Sequence, residues 1–254
     1  MSRFIRLLGA LALAGAITAC SDSSGPANNG PAVQMSIATA PALALAPGMS
    51  MSIAPVTYTD GTNTLVISQV EMVVEELEIE RVEGSVTCDD DVVDDDDCEE
   101  LELEAFLLDL PLSPGATQVI TVPVDTGTYD EFEFTVHKPE SDGDDDAFLA
   151  AHPDFEGVSI RVHGTWNGTA FVYETDLDAE QEIDLVPPLV VAEAGATDFT
   201  LFIDLSTWFR AGDSSLIDPS SANVGQPNEG VVKENIKNSF EAFEDEDHDG
   251  SDDD

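Results

Sequence analysis

The chain has 254 residues, enough for one large all-β domain with appendages, and its charge is strongly unbalanced. It carries 53 Asp and Glu side chains against eight Lys and Arg, a formal net charge of −45. This excess excludes nucleic acid as a partner, because phosphate contacts need clustered Lys and Arg side chains. Disorder does not follow from it, since 42% of the residues are hydrophobic and they occur in ordered runs.

The N-terminus has the features of an export signal. Arg3 and Arg6 precede an uncharged apolar run, Leu7–Ile17, which is too short to span a bilayer but suits a signal-peptide core. The run ends in Ile17–Cys20 (Ile-Thr-Ala-Cys), which resembles the lipobox of bacterial lipoproteins. The alternative is an ordinary secretory signal with an incidental cysteine.

The lipobox resemblance implies that residues 1–19 are removed and that Cys20 becomes a lipidated N-terminus carrying diacylglycerol and palmitate. Several acyl chains anchor a protein firmly, whereas one holds it only marginally. Ser21, rather than aspartate, follows the cysteine, which by the sorting rule of enteric bacteria favours the outer membrane, on its periplasmic or surface face. The membrane, through this lipid, is therefore the expected partner, and the cell envelope is the expected location.

Residues 20–50 are expected to form a flexible tether, because Ser21–Ala32 consists of Ser, Gly, Pro, Asn, Ala and one Asp. Val33–Ala54 is ambiguous: its short apolar stretches are broken by prolines and a glycine, and they could supply a first edge strand. The composition places a folded β-domain over residues 51–206 and a C-terminal region over residues 207–254.

Residues 51–206 show the period-two alternation typical of strands. In Glu131–His137, phenylalanines and valine alternate with polar residues, and Thr64–Arg81 alternates with a phase slip at Val73–Glu76 that requires a bulge or a break. Turn signals, including Asn167-Gly168 and Pro187-Pro188, separate the runs. Short strands with frequent turns predict an all-β fold, an antiparallel β-sandwich of transthyretin or immunoglobulin type.

Three sequence stretches resemble a family of uncharacterised bacterial lipoproteins. They are LEAFLLDLPL, VPVDTGTYDEFEFTVHKPE and FVYETDLDAEQEIDL, with Leu108–Leu110, Thr126–Tyr129 and Asp176–Asp178 carrying the resemblance. The likeness covers residues 64–206 and implies a transthyretin-like or carboxypeptidase-regulatory-like sandwich at the cell surface. It implies no catalytic residues.

The C-terminal region combines a predicted amphipathic helix, Val231–Phe243, with an acidic tail. Residues 245–250 match D-x-D-x-D-G, the first half of an EF-hand loop, in which carboxylates at positions 1, 3 and 5 face one ion and the glycine turns the chain. The motif predicts a weak Ca²⁺ site at Asp245, Asp247, Asp249 and Ser251. The chain ends before the bidentate glutamate at position 12, so a disordered, solvated acidic tail is the alternative.

No catalytic motif for a nucleophilic serine, a zinc protease or a nucleotide-binding loop occurs in the sequence. We therefore expect a non-enzymatic binding or structural role, with Ca²⁺ as the only candidate cofactor and with no protein or polysaccharide partner identified. The alternative is a surface hydrolase or a carbohydrate-binding accessory protein, which a deep pocket with convergent polar groups would favour.

Cys88 and Cys98 are predicted to form a disulfide, because an even pair at short spacing in an oxidising compartment favours one. They bracket seven aspartates, so the closed loop could pin a hairpin tip or present carboxylates to a divalent cation. Closing the loop would contribute roughly 2–3 kcal/mol on the chain-entropy estimate. Mass spectrometry of unreduced protein should find the two flanking peptides linked, and two free thiols in fresh protein would contradict the assignment.

Overall fold

A computed structural model describes residues 31–40, 55–82, 104–141, 143–193, 195–245 and 248–252. Eleven strands, three α-helices and two 3₁₀ helices are described within these residues. The strands are β1 Pro31–Ala38, β2 Val56–Thr59, β3 Thr64–Arg81, β4 Phe106–Asp109, β5 Thr117–Pro123, β6 Gly127–Val136, β7 Ile160–Trp166, β8 Thr169–Thr175, β9 Ala179–Val191, β10 Gly195–Ile203 and β11 Phe240–Glu244. The helices are α1 Asp146–Ala151, α2 Leu205–Trp208 and α3 Glu229–Lys237, with 3₁₀ turns at Pro153–Phe155 and Pro219–Ser221.

The strands form two sheets, so the predicted all-β class is confirmed. The smaller sheet has the order β11-β10-β1-β5, and the larger has the order β8-β7-β3-β6-β9, with β2 and β4 also paired to β3. The prediction of a purely antiparallel arrangement is wrong at one place, because β1 and β10 pair in parallel. Within the described residues, no helix is both long enough and apolar enough to cross a bilayer.

The two sheets enclose one hydrophobic core. Alternate residues of β6 point into it, as the sequence predicts: Phe132, Phe134 and Val136 are each at most 1% exposed. Phe132 meets Phe199 of the smaller sheet edge to face, with ring centroids 5.0 Å apart. Trp208 is fully buried beside this core, and its indole N–H donates to the Ser239 hydroxyl at 2.8 Å.

Strand β3 organises the larger sheet. It spans the predicted Thr64–Arg81, and its register with β6 shifts between Glu75 and Glu78, where Glu76 has a φ of +52°. The predicted phase slip is therefore a bulge. At Val73 the neighbour of β3 changes from β7 to β6: its N–H donates to the Ser159 carbonyl at 2.8 Å, and its carbonyl accepts from the His137 N–H at 3.1 Å. The β6–β7 connection thus leaves and rejoins the sheet at one residue.

The turn predicted at Asn167-Gly168 is confirmed, since both residues have positive φ between β7 and β8. The turn predicted at Pro187-Pro188 is wrong, because both prolines lie inside β9. There the pairing with β6 jumps from Leu189 to Asp184, so the prolines occupy a bulge where no ladder N–H is required.

The smaller sheet includes strands on both sides of residues 51–206, the range predicted for the β-domain. Strand β1 lies between β10 and β5, as an interior strand, although its residues were assigned to the tether or to an edge strand. The predicted helix Val231–Phe243 ends earlier, at Lys237, and β11 follows it. Phe240 lies four residues after Ile236, so it fits the helical spacing, but it packs on the core from an edge strand, 5.2 Å from the Phe134 ring.

Candidate functional site

Several predicted site residues lie outside the described residues. These are Cys20, the Cys88–Cys98 pair and Asp247, and their assignments stay predictions. Asp245, Asp249 and Ser251 of the predicted calcium loop are described, and they follow directly on β11 at the edge of the smaller sheet. The C-terminal loop (residues 245–252) is therefore the first candidate site.

Asp245 is fully buried, which contradicts the alternative of a solvated tail at this position. One carboxylate oxygen, Oδ2, accepts hydrogen bonds from the Thr200 hydroxyl at 2.8 Å and from the Gly250 N–H at 3.0 Å. The other, Oδ1, accepts from the Asp249 N–H at 3.0 Å. The first carboxylate of the motif therefore folds the loop around itself.

The C-terminal loop packs back onto the smaller sheet. The His248 carbonyl accepts a hydrogen bond from the Ala116 N–H at 3.1 Å, beside the start of β5. Gly250 has a φ of +77°, and a Cβ there would lie 3.0 Å from the Ala38 Cβ on β1. Glycine is thus required at this position for its backbone conformation and for its close contact, in agreement with the predicted sharp turn.

Two buried oxygens beneath this loop have no hydrogen-bond partner in the described part of the chain: Ser36 Oγ and Asp198 Oδ1. Ser36 is 1% exposed and is the register partner of Thr200, whose hydroxyl holds Asp245. Burial raises the pKa of Asp198, and the charge of Asp245 raises it further, whereas His248 opposes the shift. Negative charge and unsatisfied oxygen therefore accumulate under the C-terminal loop.

A second group of carboxylates lies on the outward face of the larger sheet. We call it the acidic ladder, because its members stand in two rows across three neighbouring strands. Each row has a carboxylate of β6 directly between one from β3 and one from β9: Glu78, Glu133 and Glu182 in the first row, and Glu80, Glu131 and Asp184 in the second. Like charges directly opposite each other destabilise a sheet.

In the acidic ladder, the two carboxylates of β6 have raised pKa values. Burial raises the pKa of Glu133 to about 7, with further contributions from Glu80 and Glu131. Burial and neighbouring carboxylates also raise the pKa of Glu131. Potential ligand atoms of Glu80, Glu131 and Glu133 lie within 4.8 Å of one another, close enough for one cation to contact all three.

A third group of polar side chains lies where the neighbour of β3 changes from β7 to β6. Its members come from three segments of the chain. His137 Nδ1 lies 2.9 Å from Glu75 Oε2, and His137 Nε2 lies 2.9 Å from Asp145 Oδ1. Asp145 Oδ2 also accepts from the Glu140 N–H at 2.8 Å. We call Glu75, His137 and Asp145 the histidine triad; its potential ligand atoms also lie within 4.8 Å of one another.

Comparison with known proteins gives no functional assignment. No protein-family model matches the chain, and no curated protein matches its sequence. One solved structure, MbnP from Methylosinus trichosporium, is similar over 80% of this chain and 86% of that chain, with 14% sequence identity and a TM-score of 0.36.

Sequence reasoning missed the acidic ladder and the histidine triad. The ladder has a local signal, since glutamates alternate with apolar residues in both β3 and β6, but strand order and register are needed to place the two rows together. The structure places His137 between Glu75 and Asp145.

The acidic ladder predicts a pH-dependent stability. Folding raises the pKa of Glu133 from its ordinary 4.5 to about 7, so the folded state holds this proton more tightly than the unfolded chain. The resulting stabilisation is complete below the unfolded pKa and is lost as the pH rises through about 7. Glu133→Gln should therefore raise the free energy of unfolding at pH 8, and this gain should shrink towards pH 4.

Urea unfolding at both pH values measures this effect. The exposed Glu193→Gln serves as the control, because it removes the same charge away from the acidic ladder. A Glu133→Gln gain that is the same at pH 4 and pH 8 would show that the ionised Glu133 carboxylate is not its source.

Proposed function

We propose that the chain is a lipid-anchored, strongly acidic envelope protein with a non-enzymatic binding or structural role, and that its C-terminal loop binds Ca²⁺. The anchoring rests on the lipobox at Ile17–Cys20 and on the family resemblance, which also suggests a transthyretin-like topology. The calcium proposal rests on one observation: Asp245, Asp249 and Gly250 of the D-x-D-x-D-G motif are hydrogen-bonded together over buried oxygens that lack hydrogen-bond partners within the described residues.

A cation would relieve the charge in the C-terminal loop. Asp245 is buried with three neutral donors, and Asp198 lies beside it with a buried oxygen that has no described partner. Ca²⁺ takes six to eight oxygen ligands, so it can use carboxylates, a hydroxyl and water together. We infer that Asp198 of β10 supplies a further carboxylate ligand from beneath the loop, alongside the predicted ligands Asp245, Asp247, Asp249 and Ser251.

The alternative, a surface hydrolase or carbohydrate-binding protein, would use the groove beside β3 and β4. This groove has a volume of about 390 Å³ and is lined by Ser68, Gln69, Asp109, Leu110, Pro111, Leu112, Ser113 and Thr117. Among the described residues of this lining, Asp109 is the only titratable side chain and none is aromatic. The described lining thus offers no pair of a general acid and a general base, and we favour the binding role.

The anchor is tested by Cys20→Ser. The lipid is the only membrane attachment that the sequence suggests, so this variant should move from the membrane fraction to the soluble fraction of the envelope. Fractionation with immunoblotting measures the change, and Ser21→Ala is the neighbouring control. A variant that stays in the membrane fraction, together with wild-type protein whose mass shows no lipid, would contradict the lipoprotein assignment.

The calcium loop is tested by calorimetric titration of the mature, detergent-solubilised protein. With a Kd of about 1 mM, 10 mM Ca²⁺ would raise the free energy of unfolding by about 1.4 kcal/mol, a few degrees in Tm. Asp249→Asn and Asp198→Asn should each weaken the Ca²⁺ affinity, whereas the exposed Asp144→Asn should not. Mg²⁺ should bind less well, because it keeps its waters and requires octahedral geometry.

All solutions in that experiment are matched in ionic strength, since a chain of this charge also gains stability from screening. Equal shifts with Ca²⁺, Mg²⁺ and NaCl would mean screening alone and would overturn the calcium site. Glu133→Gln distinguishes the C-terminal loop from the acidic ladder. If Ca²⁺ affinity falls in Glu133→Gln but not in Asp249→Asn or Asp198→Asn, the ion binds on the sheet.

A further inference from the structure

We infer that the histidine triad is a binding site for a borderline transition-metal ion of the Zn²⁺ class. In this site His137 and Glu75 ligate the ion, and Asp145 orients the imidazole from the opposite side. The site is separate from the C-terminal loop, and its chemistry differs because it includes an imidazole nitrogen.

The three side chains are held in place before any ion binds. Glu75 lies beside the β3 bulge and is the register partner of Thr135, and the backbone N–H of His137 donates to the Val73 carbonyl at 3.1 Å. Asp145 precedes α1, and its carboxylate is fixed by the Glu140 N–H at 2.8 Å. Ligands that arrive already positioned lose little conformational entropy on binding.

The hydrogen bonds of the triad constrain its protonation. A neutral imidazole has one donor and one acceptor nitrogen, yet both nitrogens of His137 face carboxylate oxygens at 2.9 Å. Each of the two contacts therefore needs one proton between its ring nitrogen and its carboxylate oxygen. One proton then lies between His137 and Glu75, where a metal ion of higher charge can replace it.

The spacing between His137 and Glu75 suits that replacement. Imidazole nitrogen and carboxylate oxygen bind Zn²⁺ at about 2.0–2.2 Å, and two such ligands that subtend about 90° at the ion are themselves about 2.9 Å apart. The Nδ1 to Oε2 distance in the structure is 2.9 Å. A wider, tetrahedral angle needs a further separation of only about 0.5 Å, which the Glu75 side chain can supply.

The burial of the two carboxylates decides which one binds the ion. The Asp145 side chain is 5% exposed and its second oxygen is already hydrogen-bonded, so there is little room for waters beside it. The Glu75 side chain is 26% exposed, so water can complete the coordination on that side. Asp145 then accepts from Nε2–H, the carboxylate–histidine–metal arrangement that fixes the tautomer and orients the ring.

The surrounding charge favours a cation. Glu76, Asp145 and Asp178 lie near Glu75 and add negative charge around it, while His137 is the opposing cationic neighbour. Lys138, the residue after His137, directs its ammonium group to Glu140 at 2.5 Å. The two carboxylates outnumber the single imidazole in this partly buried place, and a divalent ion would neutralise the excess negative charge. Imidazole combined with carboxylate suits Zn²⁺, whereas Ca²⁺ prefers oxygen ligands alone.

Calorimetric titration of the full-length protein with Zn²⁺, in the presence of 10 mM Ca²⁺, tests the assignment. The calcium occupies oxygen-only sites, so the result does not depend on the C-terminal loop. We expect one Zn²⁺ site that releases about one proton per ion, measured in two buffers of different ionisation enthalpy. His137→Gln should lower the affinity at least 100-fold, and Asp145→Asn should lower it about 10- to 100-fold.

His163→Gln is the matched control, because His163 is a half-buried histidine on the same face of the same sheet. Glu75→Gln keeps the assignment testable if the His137 variant fails to fold, since it alters only the more exposed carboxylate and should also abolish the site. Zn²⁺ binding that survives Glu75→Gln, or that is lost equally in His163→Gln, would overturn the proposal. Absence of binding in the wild-type protein would show that the triad is an ion-pair network alone.

Discussion

The register shift in β3 determines what each face of the larger sheet presents. Val74 points into the core, and without the bulge the same face would receive Glu78 and Glu80. The extra residue turns Leu77 and Ile79 inward instead, and the two glutamates outward against those of β6. Inverting this phase would bury several carboxylates, each of which would need a partner or a proton. The bulge is therefore a condition for both the core and the acidic ladder.

Two of the described cationic residues, Arg161 and Lys233, connect neighbouring segments of the fold. Arg161 of β7 bonds Glu174 of β8 at 2.8 Å and Asp154 at 2.6 Å, and so fixes the 3₁₀ turn of the β6–β7 connection to the sheet. Lys233 of α3 bonds Asp176 at 2.5 Å, which ties the helix to the residue after β8. Exposed ion pairs contribute little individually, so these contacts act mainly by orienting segments that the core does not enclose.

The sequence pattern predicted those features of the fold that depend only on residues close together in the chain. The alternation over Thr64–Arg81, its phase slip and the Asn167-Gly168 turn follow from side-chain period and from allowed φ values, and all three are observed. The position of β1 does not follow from its own residues, because its parallel pairing depends on β10, more than 150 residues later in the chain. Phe240 could also not be assigned, since a spacing of four suits a helix while its contact with Phe134 comes from a strand.

The candidate sites were predictable only to the extent that they are local. The D-x-D-x-D-G motif lies within one segment, so its tight turn could be predicted. The buried oxygens of Ser36 and Asp198 lie beneath it on two other strands, so the motif alone did not indicate them. The histidine triad joins β3, the end of β6 and the residue before α1, and nothing in any one of these segments indicates the others. All of these sites arise from the same excess of acid, and their chemistry differs through burial and one imidazole. A ligand set of oxygens alone suits a hard cation, while a set that includes a ring nitrogen suits a softer one. In the two proposed sites it is the strand order, rather than the number of acids, that brings together the ligand atoms on which ion selection would depend.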